Sequence, residues 1–121
     1  MSYKKLKVWQ VARKVSIDIH KMSLELPSFE LYECGSQIRR SSKSIRANIV
    51  EGYGRRKYTN DYLRFLIYAH SSVDETRDHL ETLHETGSLQ NQQIFENISE
   101  QLNILGKMLF RFIQRVEKDN H

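Results

Sequence analysis

The chain predicts an all-α protein, an antiparallel up-down-up-down four-helix bundle forming one domain over residues 1–121. Three observations predict it. Apolar residues recur every three or four positions in four long stretches, the period of one helix face. Proline or glycine punctuates the chain between those stretches, at Pro27, Gly52, Gly54 and Gly87. No stretch alternates in the strand pattern, and no Asn-Gly or Asp-Gly hairpin signal is present. Long helices joined by short turns pack as antiparallel neighbours.

The first helix carries Val8, Ala12, Val15, Ile19, Met22 and Leu26 on one stripe, with Trp9, Ser16 and Ser23 alongside. Pro27 ends it, because the residue before a proline disfavours helical geometry. Ser28 is placed to cap the second helix, and Glu30 and Glu33 suit its positive N-terminal end. That helix is expected to run to about Val50 or Glu51, where Gly52 and Gly54 break it. Thr59 or Asn60 caps the third, whose stripe is Tyr62, Leu66, Ala69, Val73, Leu80 and Leu83, ending at Gly87. Ser88 caps the fourth, with Ile94, Ile98, Leu102, Leu105, Met108 or Leu109, Phe112 and Val116 on its apolar side.

The most informative segment is residues 37–57, QIRRSSKSIRANIVEGYGRRK. It holds Arg39, Arg40, Lys43, Arg46, Arg55, Arg56 and Lys57 against one acid, Glu51. At about 100° per residue, Leu31, Ile38, Ser42, Ile45 and Ile49 share a stripe. Arg39, Lys43 and Arg46 form a cationic row on one side of it, with Arg40 slightly further round. Gln37, Ser41, Ser44 and Asn48 form an uncharged row on the other. The cations suit phosphate backbones. The uncharged row and Glu51 suit a structural polar seam, because small residues let helices approach closely and a polar group at a seam fixes register. After the helix, Gly52-Tyr53-Gly54-Arg55-Arg56-Lys57 offers two glycines and three cations ahead of the next helix N-terminus, a setting that favours an anion. Tyr53, Tyr58, Tyr62 and Phe65 flank it, and aromatic rings there are able to stack on bases.

Charge is unevenly distributed. The chain has a net charge of +4, but residues 1–64 carry fourteen basic and six acidic side chains and residues 65–121 five basic and nine acidic. Such a polarised domain attracts polyanions on one face, or its two halves neutralise each other within the fold or between subunits.

Other chemistries find little support. A di-iron bundle needs two Glu-x-x-His motifs and two further glutamates; Glu81-Thr82-Leu83-His84 supplies one, so no metal and no cofactor is expected. No Gly-x-Ser-x-Gly elbow is present, and Cys34 has no histidine nearby in sequence. The glycine-cation loop matches neither Walker A nor the dinucleotide fingerprint. No catalytic residue is assigned, and the protein is expected not to be an enzyme. One cysteine, no apolar run near the ~20 residues of a membrane span, and a start interrupted by Lys4, Lys5 and Lys7 read as a cytoplasmic protein without membrane contact.

Trp9, Pro27 with Glu30, Gln37-Ile38-Arg39-Arg40, Ser44-Ile45-x-Ala47-Asn48-Ile49-x-Glu51-Gly52-x-Gly54-Arg55 and Tyr62-x-x-Phe65-Leu66 resemble the bacterial four helix bundle protein family. That family includes proteins encoded in intervening sequences of large-subunit ribosomal RNA genes. The chain is also similar to the accessory protein of diversity-generating retroelements. The resemblance covers nearly the whole chain, and Arg39, Arg40, Asn48, Glu51, Gly52 and Arg55 match its pattern. It implies a ring-shaped homo-oligomer, a pentamer, with a basic surface, and partners among nucleic acids or the protein that acts on them. In helix three, Ala69-His70-Ser71-Ser72-Val73-Asp74-Glu75 departs from the expected Ala-Arg-Gly-Ser-x-x-Glu. Two functions follow. One is an oligomer binding RNA or an RNA–DNA intermediate without reading sequence; the other is an oligomeric scaffold with a protein partner and no nucleic-acid role.

Overall fold

The computed structural model of the protein describes residues 2–119. Four helices, α1 (Lys7–Leu24), α2 (Cys34–Gly54), α3 (Thr59–Glu85) and α4 (Gln92–Asp119), follow a short 3-10 turn at Tyr3–Lys5, and a second such turn, Ser28–Leu31, joins α1 to α2. Each helix packs on two neighbours, α1 on α2 and α4, α3 on α2 and α4, which closes an all-α four-helix bundle. The largest interface is between α2 and α3. No helix among the described residues is long and apolar enough to cross a membrane.

The stripes meet at the axis. Val15, Ile19, Ile38, Ile45, Ile49, Leu66, Val73, Leu80, Leu83, Leu102 and Leu105 are fully buried. In α4 the choice between Met108 and Leu109 falls to Leu109, which is fully buried, while Met108 lies part-buried against the core. Leu31 and Ile94, expected on stripes, are exposed. Tyr62 closes one end of the core edge-on to Phe112, ring centroids 5.9 Å apart. Burial, with Tyr53 close by, pushes its phenol up to about 12, against a small opposing pull from Arg56.

Several helix ends differ from the expected ones. Helix α1 stops at Leu24, three residues before Pro27. Ser28 lies in the 3-10 turn and does not cap α2, which begins at Cys34 with no side-chain bond from Glu33. The cap comes instead from Glu30, buried, whose Oε1 accepts the Gly35 N–H at 2.9 Å. Ser88 does not cap α4 either. Its hydroxyl donates to Glu30 Oε2 at 2.6 Å, and Asn91 Oδ1 takes the Ile94 N–H at 3.1 Å as the α4 cap. One carboxylate thus ties both connections at this end of the bundle. Gly87, at φ +84°, takes the left-handed position after α3.

At the opposite end α2 runs past Glu51 and through Gly52, and it ends at Gly54. Gly52 is buried, and a Cβ there would sit 3.2 Å from Phe65 Cβ on α3. It is small because α3 comes close. Tyr58, not Thr59 or Asn60, holds the N-cap position of α3, with Asp61 in the first turn as expected.

Candidate functional site

The α2 helix presents three faces, and its neighbours decide what each one does. On the α1 side, Arg39 donates to Ser23 Oγ at 3.1 Å and to the Leu31 carbonyl at 3.0 Å. Arg46 donates to Ser16 Oγ at 3.3 Å and lies 5.3 Å over the Trp9 ring. Ser16 and Ser23 are buried and flank the α1 stripe, so α1 offers hydroxyls where α2 brings guanidinium groups. These two arginines anchor the helix pair. They keep their charge and spare N–H donors, but their side chains are held.

Arg40 and Lys43 behave otherwise. Both are exposed, and neither pairs with a described acid. The row read from the sequence as Arg39, Lys43 and Arg46 is therefore divided between two held guanidinium groups and one free ammonium, with Arg40 free beside it.

In the turn after α2, Arg55 Nε donates to Glu51 Oε2 at 3.2 Å, its Nη1 lies 3.7 Å from Asp61 Oδ2, and it stacks 4.9 Å over Phe65. Arg56 donates to the Tyr53 carbonyl at 2.8 Å and lies 4.0 Å over that ring. Lys57 is exposed, its ammonium 5.8 Å from the exposed Tyr58 ring. Cation–aromatic contacts of this kind contribute about 0.5–1 kcal/mol at exposed sites.

Part of the uncharged row, Ser41 and Ser44, faces α3. Ser41 and Thr76 hydroxyls meet at 2.8 Å, Ser44 and Ser72 hydroxyls meet at 3.2 Å, and Asn48 Nδ2 donates to the Ser44 carbonyl and hydroxyl at 3.0 and 3.1 Å. Ser41, Ser44 and Asn48 are brought together here. Gln37 and Glu51 are not: both are exposed, and Glu51 is engaged with Arg55.

Between α1 and α2 lies a groove of about 600 Å³ whose walls include Trp9, Ile17, Val50, Lys43 and Arg46. His20 also lines it, and its Nδ1 is buried without a partner among the described residues. Helical spacing in the sequence did not single out this groove, because its walls come from two helices and the Tyr3 turn.

The residues weighed for metal or nucleophilic chemistry have other surroundings. His84 stacks on Phe95 with centroids 4.0 Å apart and hydrogen-bonds Gln92. Among the described residues no three His, Cys, Asp or Glu side chains gather as a metal site would. Cys34 Sγ donates to the His79 carbonyl, not to an imidazole. Burial, then the carboxylates of Glu30, Asp78 and Glu33, push its thiol up, away from the reactive thiolate.

The family model described as 23S rRNA-intervening sequence protein matches residues 4–111. A crystal structure of a protein of unknown function from the S23 ribosomal protein family of Bacteroides thetaiotaomicron superposes with a TM-score of 0.77 at 24% identity. That superposition covers 88% of this chain and 95% of the other, and it shows the shared fold. No curated protein matches the chain. With the family model spanning most of the bundle, the chain belongs to the 23S rRNA-intervening sequence protein family.

Proposed function

We propose that this protein is a non-catalytic homo-oligomer, residing in the cytoplasm, that holds RNA or an RNA–DNA intermediate by its phosphate backbone without reading sequence. The observation that carries the reading is the free pair Arg40 and Lys43 on the outer face of α2, unpaired among the described acids and backed by the held charges of Arg39 and Arg46. The family's description, which names an intervening sequence of 23S rRNA, supports a nucleic-acid context. Among the described residues no base-reading module is present, so affinity rests on counterion release.

The test is a salt titration of labelled single-stranded RNA. Log affinity is expected to fall linearly with log salt, and R40Q/K43Q is expected to flatten the slope by about 1.4, at about 0.7 per lost phosphate contact. Affinity drops alike for every sequence tried. Arg39 and Arg46 are left intact because their loss would loosen α1 from α2. An absence of binding at low salt, by RNA or DNA, single-stranded or duplex, would leave the scaffold reading in place instead.

The oligomer is expected to close as a ring through unlike faces of neighbouring copies, with five subunits. Light scattering should return about five times the 14.4 kDa of one chain. A monomer at micromolar concentration rules out the ring. In a ring, several basic faces engage one polymer, which multiplies affinity without new contacts.

A further inference from the structure

We infer that one end of the bundle, the end where the chain starts, α2 turns into α3 and α4 finishes, is a second phosphate-binding surface for the same nucleic acid. The inference rests on the nucleic-acid reading above and places most of the binding charge away from the outer face of α2.

The antiparallel topology sorts charge along the bundle axis. Residues 2–7, 51–64 and 111–119 share one end and carry ten basic against four acidic side chains, a net of +6. Residues 21–36 and 77–100 share the other and carry two basic against eight acidic, a net of −6. That the three basic segments share one end is visible in their contacts. The 3-10 turn at Tyr3–Lys5 packs on α1 and α2, Tyr3 sets its ring edge-on to Trp9, and Tyr62 at the start of α3 meets Phe112 near the end of α4.

The facing edges of the two segments lie 13 residues apart on α3 and 11 on α4, roughly 16–20 Å at 1.5 Å per residue. That is about twice the ~8 Å Debye length at physiological salt. The poles therefore do not neutralise each other within one chain. Two of the four acids at the basic end are already engaged, Glu51 with Arg55 and Asp61 with Arg55 and Arg64. Lys4, Lys5, Lys7, Lys57, Arg115 and Lys118 are exposed and pair with no described acid.

Two features favour a nucleic acid over the acidic end of another copy. The first is the exposed Tyr58 ring beside Lys57, a platform on which an unpaired base can stack. The second is the placement of the lysines against local electrostatics. Lys4, Lys5 and Lys7 crowd the positive end of the α1 dipole, where cations are unfavourable. The turn that carries Lys4 is nonetheless pinned, by Ser2 accepting the Lys4 N–H and by Gln10 donating to the Lys4 carbonyl. Fold stability does not ask for lysines there; a polyanion does. Neighbouring helix axes lie ~8–10 Å apart, so the end is wide enough to meet several successive phosphates.

The experiment compares K4Q/K5Q/K7Q/K57Q with R40Q/K43Q and with E81Q/E85Q/E96Q at the acidic end, using labelled single-stranded RNA of mixed sequence. Circular dichroism first establishes that all three keep their helix content. The pole variant is expected to flatten the salt slope by about 2.8 and to weaken binding by roughly several hundredfold near 0.1 M salt, from four lost contacts. The acidic-end variant is expected to change affinity less than about twofold, as its carboxylates lie beyond the screening length. RNA binding by the wild type that the pole variant retains in full overturns the inference while leaving the proposed function standing. No binding by the wild type overturns the proposed function itself. Salt-sensitive association of the protein without RNA, lost equally in the pole and acidic-end variants while RNA affinity is unchanged, assigns the pole to head-to-tail contact between copies and overturns the inference.

Discussion

Gly35→Ala is expected to destabilise the bundle by about 3 kcal/mol or more, the upper part of the range for overpacked sites. An added Cβ at Gly35 would sit 2.4 Å from the Glu30 carbonyl oxygen and 2.9 Å from Glu30 Cβ. The first obstacle is backbone, so no rotamer change relieves it. Moving the turn instead breaks the bond from Gly35 N–H to Glu30 Oε1 and, through the same carboxylate, the bond from Ser88. Both connections at that end are loosened together. For a chain of this size a loss of 1 kcal/mol lowers the melting temperature by about 4 °C, so a drop of roughly 12 °C or more is expected in a thermal melt followed by circular dichroism. Glu30→Ala, which strands the buried Gly35 N–H and frees the half-buried Ser88 hydroxyl without adding bulk, should cost about 1–3 kcal/mol, because a buried unpaired donor carries its desolvation penalty. A Gly35→Ala melt within 2 °C of the wild type would show that the turn is free to shift and that Glu30 is no latch.

This latch also marks where the sequence became hard to read. The helix stripes were legible because burial follows the 3.6-residue period: Ile38, Ser42, Ile45 and Ile49 all lie at zero exposure. The caps were not legible, since Ser28 and Ser88 are ordinary N-cap residues by local rules. A carboxylate 58 residues away in the chain from Ser88 takes its hydroxyl instead. Gly52 read as a helix breaker for the same reason: its local cost is visible in sequence, whereas the close approach of Phe65 that requires it is a tertiary fact.

The candidate site was legible in part. Angular position on α2 separated a cationic row from an uncharged one, and of these Arg39 and Arg46 engage α1 while Ser41 and Ser44 engage α3. The helical wheel carries no information on what a neighbour offers. Ser16, Ser23 and Trp9 on α1 hold Arg46 and Arg39 and leave Lys43 free beside them. Nor does it carry position along the axis. The division at residue 64 sorted charge by chain order, whereas the antiparallel fold brings the first lysines, the α2–α3 turn and the end of α4 to one pole.

The serines of α2 invite the second large effect. Ser41→Leu is expected to cost about 3 kcal/mol or more, whereas Ser41→Ala should be close to neutral. Ser41 is buried where α2 and α3 share the largest interface, opposite Thr76, with Ser44 and Ser72 in contact beside it. A leucine there has no volume to occupy and must force the helices apart. Removing only the hydroxyl takes one hydrogen-bond partner from Thr76, whose single hydroxyl proton goes to the Ser72 carbonyl at 2.7 Å. That loss is ~0.5–1 kcal/mol, and the better helix propensity of alanine offsets about half of it. The two substitutions therefore separate size from polarity as the reason for a serine at this position. Urea denaturation supplies both values, and light scattering on the same samples reports whether α2 displacement also disturbs assembly. Should the alanine variant prove as damaging as the leucine one, the hydrogen bond and not the close approach would be what the seam requires. Should the leucine variant match the wild type, α2 and α3 have room that their packed hydroxyls deny, and the seam would have no claim to set how these helices meet.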